Sequence, residues 1–236
     1  MRLILLSFLI GFVSQPAHSQ DKQEKTVLFS DAIKTNIKKY NKESDLVYES
    51  GDIGKGQSLF DSLVQNHLVG SKFDDYTFKS VNSKKVKLSN IKMPTFIITY
   101  SAWCVINKGE VAALNKLARQ YNDSIQFIVV FWDTKQNMKK VGRQFNGKIR
   151  VCYANESYRN DARTVATLKH TLGFPTSYFL NENLEVVDIK RGGIAIPPRT
   201  PTKKAIAMNY DLFNERLVSF LEKKNQVRTL AEVNQD

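Results

Sequence analysis

Three apolar runs in the middle of the chain have the pattern of strands that are buried on both faces of a sheet. They are rich in β-branched and aromatic residues and lie at residues 94–100, 125–132 and 148–154. Each run is followed by an amphipathic segment with helical spacing, at 105–121, 134–145 and 157–173. Alternation of strands and helices in this order predicts parallel crossovers in an α/β fold.

Other patterns predict antiparallel strands and one more helix. Apolar and polar residues alternate on both sides of Asn82-Ser83, and a second hairpin turns at residues 181–183. Residues 205–224 form a closing amphipathic helix whose inward positions are Tyr210, Phe213, Leu217 and Phe220. The sequence therefore predicts a central mixed sheet flanked by helices on both faces.

Both ends of the chain lie outside this predicted domain, which spans residues 69–224. Residues 1–19 have one Arg, an apolar stretch and the small residues Ala17 and Ser19, which is the pattern of a secretory signal peptide. The apolar stretch is shorter than the roughly 18 residues that span a bilayer. Residues 20–68 are predicted to form a helical N-terminal extension and residues 225–236 a C-terminal tail. We expect an exported protein of the periplasm or cell envelope, soluble after signal cleavage.

The charge and the scarcity of soft ligands narrow the function classes. The net charge is +12, but the lysines occur as scattered doublets without interleaved aromatic residues, which disfavours a nucleic-acid surface. His67 and His170 have no matching ligand spacing, and only Cys104 and Cys152 are cysteines. We therefore predict no metal and no cofactor. An acidic partner or an envelope surface stays open.

Cys104 is the candidate nucleophile. It follows Trp103 at the end of the first apolar run, where the pattern predicts that a strand passes directly into a helix. Unpaired N–H groups and the helix dipole at such a junction stabilise a thiolate. The alternative is a cysteine that is simply part of the core.

The chain from about Gly70 to Gly193 resembles the thioredoxin-like superfamily, in particular the exported TlpA/ResA branch of thiol-disulfide oxidoreductases. "YSAWCVIN" is similar to the motif F-W-A-x-W-C-x-x-C of that branch in all but two places. "KVKLSNIK" before it, "IRVCYANE" and "LGFPTSYFLNENLEVVDIKRGG" after it resemble the flanking segments. The resemblance implies a thioredoxin-like fold.

The resemblance also implies roles for individual residues. Pro175 would follow a cis peptide bond and present the backbone of Phe174, together with Thr176, to an extended substrate segment. Trp103 would lie against Cys104 and shield it on one side. Glu110 would be the buried carboxylate that assists proton movement at the second cysteine of the motif. Two positions depart from the motif: Tyr100 replaces Trp or Phe, and Asn107 replaces the second cysteine, which in a dithiol enzyme resolves the mixed disulfide.

Three consequences of Asn107 stay open. Cys104 could act as a monothiol whose mixed disulfides are resolved by a small thiol or a partner protein, with the Asn107 amide donating to the thiolate. Cys152 could be a distal thiol, although a strand two places away lies about 10 Å off, beyond the roughly 7 Å between Cα atoms that a disulfide tolerates. The chain could also be a non-catalytic protein-binding or chaperone-like module. The expected partner is a protein thiol or disulfide. The sequence does not indicate which oligomeric state the protein adopts.

Overall fold

The structure, a computed structural model, describes residues 27–82, 84–104 and 106–233. The predicted signal peptide, residues 1–19, lies outside the described residues. Within them, no helix combines the length and the apolar character that crossing a membrane requires.

Seven strands of the described chain form one mixed sheet in the order β2-β1-β5-β4-β3-β6-β7. The inner strands β3, β4 and β5 run parallel, and the remaining pairs are antiparallel. The strands are β1 Thr77–Ser80, β2 Lys85–Lys87, β3 Thr95–Tyr100, β4 Gln126–Phe131, β5 Ile149–Tyr153, β6 Thr176–Leu180 and β7 Val186–Arg191. The predicted mixed sheet flanked by helices is confirmed, and so are both predicted hairpins.

Helices cover both faces of the sheet. They are α1 Phe29–Ser50, α2 Ile53–Leu63, α3 Glu110–Gln120, α4 Lys135–Gly142, α5 Ala162–Thr164 and α6 Thr202–Val233. Two of them continue as π-helical turns, α2 at Val64–Leu68 and α5 at Val165–Lys169. The N-terminal helices α1 and α2 confirm the predicted helical extension.

The central strands are apolar along their whole length because they separate two cores. All six residues of β3 are buried. One core contains Ile97 and Ile128 and packs under α1 and α2 through side chains such as Phe29 and Phe60. We call it the extension core. The other contains Phe96, whose ring contacts those of Phe127, Phe179 and Phe213, and packs under α3 and α6.

Several predicted helix limits are wrong. Helix α3 begins at Glu110 rather than at residue 105, for reasons given with the site below. Helix α4 ends at Gly142, before residue 145, because Asn146 bonds instead to Asn115 of α3. The predicted helix 157–173 is shorter in the structure and runs from Arg159 to Lys169 as successive 3-10, α and π turns.

The closing helix is longer than predicted. Its inward residues Phe213, Leu217 and Phe220 are buried as expected. The helix continues past residue 224 to Val233, because residues 225–233 contain neither Gly nor Pro to stop it.

Candidate thiol site

Cys104 lies in a turn and not at the start of a helix. Its N–H donates to the Ser101 carbonyl, at 2.9 Å, and its side chain is partly exposed. Helix α3 begins only at Glu110. The predicted direct passage from the strand into a helix at Cys104 is therefore wrong, and the intervening turn separates Cys104 along the chain from the first turn of α3, where the helix dipole acts.

The surroundings of Cys104 favour the neutral thiol. Partial burial raises the pKa of Cys104 above its ordinary value, the Asp133 carboxylate raises it further, and a backbone hydrogen bond of Ser101 opposes both. Asp133 is itself buried at the end of β4, where Ser101 Oγ donates to its Oδ2 at 3.0 Å and the Ala102 N–H donates to the same oxygen. The thiolate is thus disfavoured at neutral pH.

Asp133 is a site residue that the sequence reasoning missed. From the sequence, Asp133-Thr134 is indicated only as the cap of α4, and the structure confirms Thr134 in that role, since its hydroxyl accepts from the Asn137 N–H. The available signal was its position directly after a buried parallel strand, because ligands and functional groups gather at the carboxyl ends of such strands.

The two departures from the motif meet at one carboxylate. The Tyr100 hydroxyl donates to Glu110 Oε1 at 2.6 Å, and the backbone N–H of Asn107 donates to Glu110 Oε2 at 3.1 Å. Glu110 is buried, and burial raises its pKa, while these hydrogen bonds and the charge of Arg216 lower it. Glu110 therefore holds the segment that precedes α3.

The side chain of Asn107 hydrogen-bonds to a loop and not to the Cys104 sulfur. Its side-chain Nδ2 donates to the Ile194 carbonyl at 2.9 Å, in the loop after β7. The predicted amide donation to Cys104 is therefore replaced by a bond to this loop. Gly109, which precedes Glu110, has a left-handed φ of +85° that does not fit inside a helix, so α3 begins at Glu110 and not at residue 105.

The rest of the turn is fastened to the C-terminal part of the chain. Lys108 Nζ donates to the Thr200 carbonyl at 2.9 Å, and Asn209 Nδ2 donates to the Lys108 carbonyl at 3.0 Å. Gly109 has φ +85°, and a Cβ at this position would lie 2.6 Å from the backbone nitrogen of Ile206. Only glycine fits both the conformation and the space.

A proline turn faces the cysteine turn. The Phe174–Pro175 peptide bond is cis, and the Pro175 carbonyl accepts from the Gly192 N–H at 2.8 Å. The Trp103 ring, 74% exposed, lies edge-on to the Phe174 ring, with 5.5 Å between centroids. Among the described residues, neither the N–H nor the carbonyl of Phe174 has a hydrogen-bond partner.

Thr176 connects the proline turn to the strand that carries the cysteine turn. Its N–H donates to Thr99 Oγ1, and its carbonyl accepts from the same hydroxyl, both at 3.2 Å. The backbone of Thr176 is thereby committed inside the sheet. The free backbone groups of the turn are those of Phe174.

Comparisons with known proteins bear on the fold. The chain is 24% identical over 144 residues to the thioredoxin-like protein YneN of Bacillus subtilis. The aligned region covers 61% of this chain and 79% of YneN. The chain has a thioredoxin-like fold. The resemblance inferred from the sequence is confirmed at this level, although no family model matches the chain.

Solved structures similar to this thioredoxin-like chain include two bacterial proteins. One is the thioredoxin domain of a thiol-disulfide oxidoreductase from Bacteroides vulgatus, with 16% identity, a TM-score of 0.47, and coverage of 62% of this chain and 96% of that one. Another is StoA from Bacillus subtilis, with 15% identity, a TM-score of 0.38, and coverage of 56% and 94%.

Cys152 lies two strands from the cysteine turn, as expected, and belongs to the extension core. It pairs with Val130 of β4, which separates β5 from β3, and it is fully buried. Burial raises the pKa of Cys152 to about 12. Both cysteines are free thiols. Reaching Cys104 would require the Cys152 sulfur to leave the core.

An open cavity of about 550 Å³ adjoins Cys104 on the α3 side, with Asn107, Val111, Gln144 and Ile206 among its lining residues. The described residues contain no cluster of three or more His, Cys, Asp or Glu side chains that could hold a metal ion. The chemistry that the arrangement can perform is that of one partly exposed thiol beside a free stretch of backbone.

Proposed function

We propose that this thioredoxin-like protein exchanges disulfides through Cys104 as a single thiol, with weakened activity, on an extended segment of a protein client. One observation carries the proposal. Phe174, in contact with Trp103 next to Cys104, keeps its backbone N–H and carbonyl unpaired, and a client strand can pair with them. Phe174 thus supplies the binding edge, Pro175 and Thr176 hold it in place, and Trp103 covers the thiol.

The reaction is a disulfide exchange without net oxidation. The Cys104 thiol loses its proton, and the thiolate attacks one sulfur of a client disulfide. The client S–S bond breaks as the Cys104–client S–S bond forms, and the departing client sulfur leaves as a thiolate that takes up a proton. A second thiol, from the client or from a small thiol, then attacks the mixed disulfide and releases Cys104.

The environment of Cys104 makes both steps slow. A raised pKa lowers the thiolate fraction at neutral pH, so attack is slow. A thiol of high pKa is also a poor leaving group, so the mixed disulfide persists. We therefore expect capture of clients rather than rapid turnover.

Asn107 and Glu110 position the turn instead of moving protons to a second thiol. Asn107 has no sulfur, and its side chain donates a hydrogen bond to the Ile194 carbonyl. The Glu110 carboxylate accepts hydrogen bonds from the Tyr100 hydroxyl and the Asn107 N–H. The distal thiol Cys152 is buried, so resolution is assigned to a thiol outside the chain. Residues 1–19 are proposed to direct export to the periplasm or cell envelope, where disulfide clients occur.

The test uses the chain from residue 20 with Cys152→Ala and a peptide whose single cysteine carries a nitrothiobenzoate disulfide. Attack releases the coloured thiolate and adds the peptide mass to Cys104. We expect capture several-fold faster than with the free aromatic disulfide, because the peptide pairs with Phe174. A matched peptide with prolines beside its cysteine cannot donate to the Phe174 carbonyl and should lose this advantage.

Cys104→Ser is the control and should give no adduct. Equal rates with the two peptides would contradict the binding role of Phe174. Peptide binding without any adduct at Cys104 would contradict the exchange reaction and favour the alternative, a non-catalytic binding module.

A further inference from the structure

A second cleft opens between the two N-terminal helices. Its volume is about 420 Å³, and residues from the end of α1, from the turn that follows it and from α2 line it together with Arg191 of β7. We call it the α1–α2 cleft. Its walls include Val47, Tyr48, Ile53 and Phe60. Neither the sequence patterns nor the proposed exchange reaction gives it a role.

Arg191 is a half-buried cation without a counterion. Its guanidinium lies over the Phe60 ring, 4.2 Å from the centroid, and its Nη1 donates to the Tyr40 hydroxyl at 3.0 Å. Its Nε is buried and has no partner among the described residues, and none of their carboxylates forms an ion pair with it. Burial of an unpaired charge is costly, which favours an anionic ligand here.

The mouth of the cleft is apolar and unusually exposed. Tyr48 and Ile53 are 86% and 87% exposed, the largest values among the exposed large apolar residues of the described chain. Asp52 also lines the cleft, but its carboxylate is used as the cap of α2, where it accepts from the Lys55 N–H at 2.9 Å. The cleft thus combines an apolar mouth with one unpaired cation, which suits an apolar group next to a carboxylate.

The cleft lies beside the proline turn. Arg191 pairs with Thr176 across the β6–β7 ladder, and the next residue, Gly192, donates to the Pro175 carbonyl. Phe174 packs on the extension core together with Ile37 of α1 and Leu59 of α2. A client strand that leaves Phe174 on this side of the sheet therefore meets the two helices.

We propose that the α1–α2 cleft is a second client subsite, which binds an apolar side chain flanked by a carboxylate. Arg191 pairs with the carboxylate, and Tyr48 and Ile53 cover the apolar side chain. The occupant is an acidic, apolar segment of a protein, in keeping with the net charge of +12. That this protein is the client of Cys104 rests on the proposed function; binding in the cleft does not.

The probe is the cysteine-free peptide acetyl-Ser-Leu-Phe-Glu-Gly-amide, titrated to millimolar concentration against the chain from residue 20 while backbone amide NMR signals are recorded. Saturable shifts are expected at Tyr48, Ile53 and Arg191. The same peptide with Gln in place of Glu should bind about fivefold more weakly, because it lacks the charge. Equal affinity of the two peptides, or no saturable shifts at these residues, would overturn the proposal.

Two variants and a control sharpen the test. Arg191→Gln should remove the preference for Glu over Gln. Because Arg191 also packs on Phe60, Ile53→Ser supplies a second readout at an exposed residue, with about tenfold weaker binding expected. Leu46→Ser is the control, since Leu46 is 62% exposed on the neighbouring helix α1 but does not line the cleft. An equal loss of peptide affinity in Ile53→Ser and Leu46→Ser would overturn the proposal.

The peptide contains no cysteine, so its binding is independent of the exchange reaction. Cleft binding together with failed capture at Cys104 would contradict only the proposed function. Capture without cleft binding would contradict only this inference.

Discussion

The two turns that face each other at the site are held in different ways. The proline turn is fixed within the sheet: Thr176 Oγ1 donates to the Gly173 carbonyl at 3.1 Å, the Thr176 N–H donates to Thr99 Oγ1 of β3, and the Gly192 N–H, just after β7, donates to the Pro175 carbonyl. The cysteine turn is fixed by residues far away in the chain, among them Asp133, Ile194, Thr200 and Asn209.

The difference lies in what the side chains of the cysteine turn bind. The Asn107 side chain attaches the turn to the loop after β7, and the Tyr100 hydroxyl supports the same turn through Glu110. The cysteine turn is built as a fixed structural element, whereas the proline turn still offers free backbone to a partner. Reactivity and binding are thereby separated between the two turns.

Restoring the second thiol should change this contrast most. Asn107→Cys supplies a resolving thiol and removes the bond to Ile194. We expect reduction of a mixed disulfide at Cys104 to become on the order of a hundredfold faster, because resolution is then intramolecular. The measurement is release of the captured peptide followed by mass spectrometry.

The matched control for this gain is Asn107→Ser, which removes the same amide without adding sulfur. It should release the peptide as slowly as the parent chain. Equal acceleration in both variants would show that freeing the turn, and not the thiol, causes the release.

Glu110 should make folding stability depend on pH. Its pKa is raised above 4.5 in the folded chain, mainly by burial, so the folded state binds this proton more tightly than the unfolded state. The resulting stability is present below pH 4.5 and is lost as the pH rises through the folded-state pKa. If the pKa values of Glu110 in the folded and the unfolded chain differ by one, the free energy of unfolding changes by about 1.4 kcal/mol.

Glu110→Gln should remove this dependence. The variant loses an acceptor for either the Tyr100 hydroxyl or the Asn107 N–H, at a cost of about 1–3 kcal/mol. Relative to the parent chain, that cost should shrink as the pH rises from acid to neutral. Urea unfolding across this range measures it, and a cost that grows with pH would contradict the raised pKa.

Sequence patterns predicted the sheet well and the cysteine turn poorly, for physical reasons. Buried strands such as β3 and β4 need continuous apolar runs, and those runs are visible in the chain. The bonds from Asn107 to Ile194 and from Ala102 to Asp133 join residues that are distant in sequence, and no local pattern shows them.

The charge of Asp133 provides a smaller test of the cysteine turn. Asp133→Asn keeps an acceptor for Ser101 and Ala102 but removes the negative charge that raises the pKa of Cys104. We expect alkylation of Cys104 at neutral pH to become about threefold faster, since the thiolate fraction rises. An unchanged rate would leave burial as the sole cause of the raised pKa.

Trp103 should matter for binding but hardly for folding. Because the Trp103 side chain is 74% exposed, Trp103→Ala should change the free energy of unfolding by less than about 0.5 kcal/mol. Peptide capture should slow a few-fold, because the contact with Phe174 is lost. Urea unfolding and capture kinetics on the same sample check both parts, and a large loss of stability would contradict the expectation.

The most direct test of the account is the alkylation rate of Cys104 as a function of pH. The chain from residue 20 with Cys152→Ala is treated with iodoacetamide, and glutathione is measured in parallel. We predict a titration midpoint above the roughly 8.5 of a free cysteine, as burial and Asp133 require. A midpoint at or below the free-thiol value would contradict the account of a slow, persistently capturing thiol in a fixed turn.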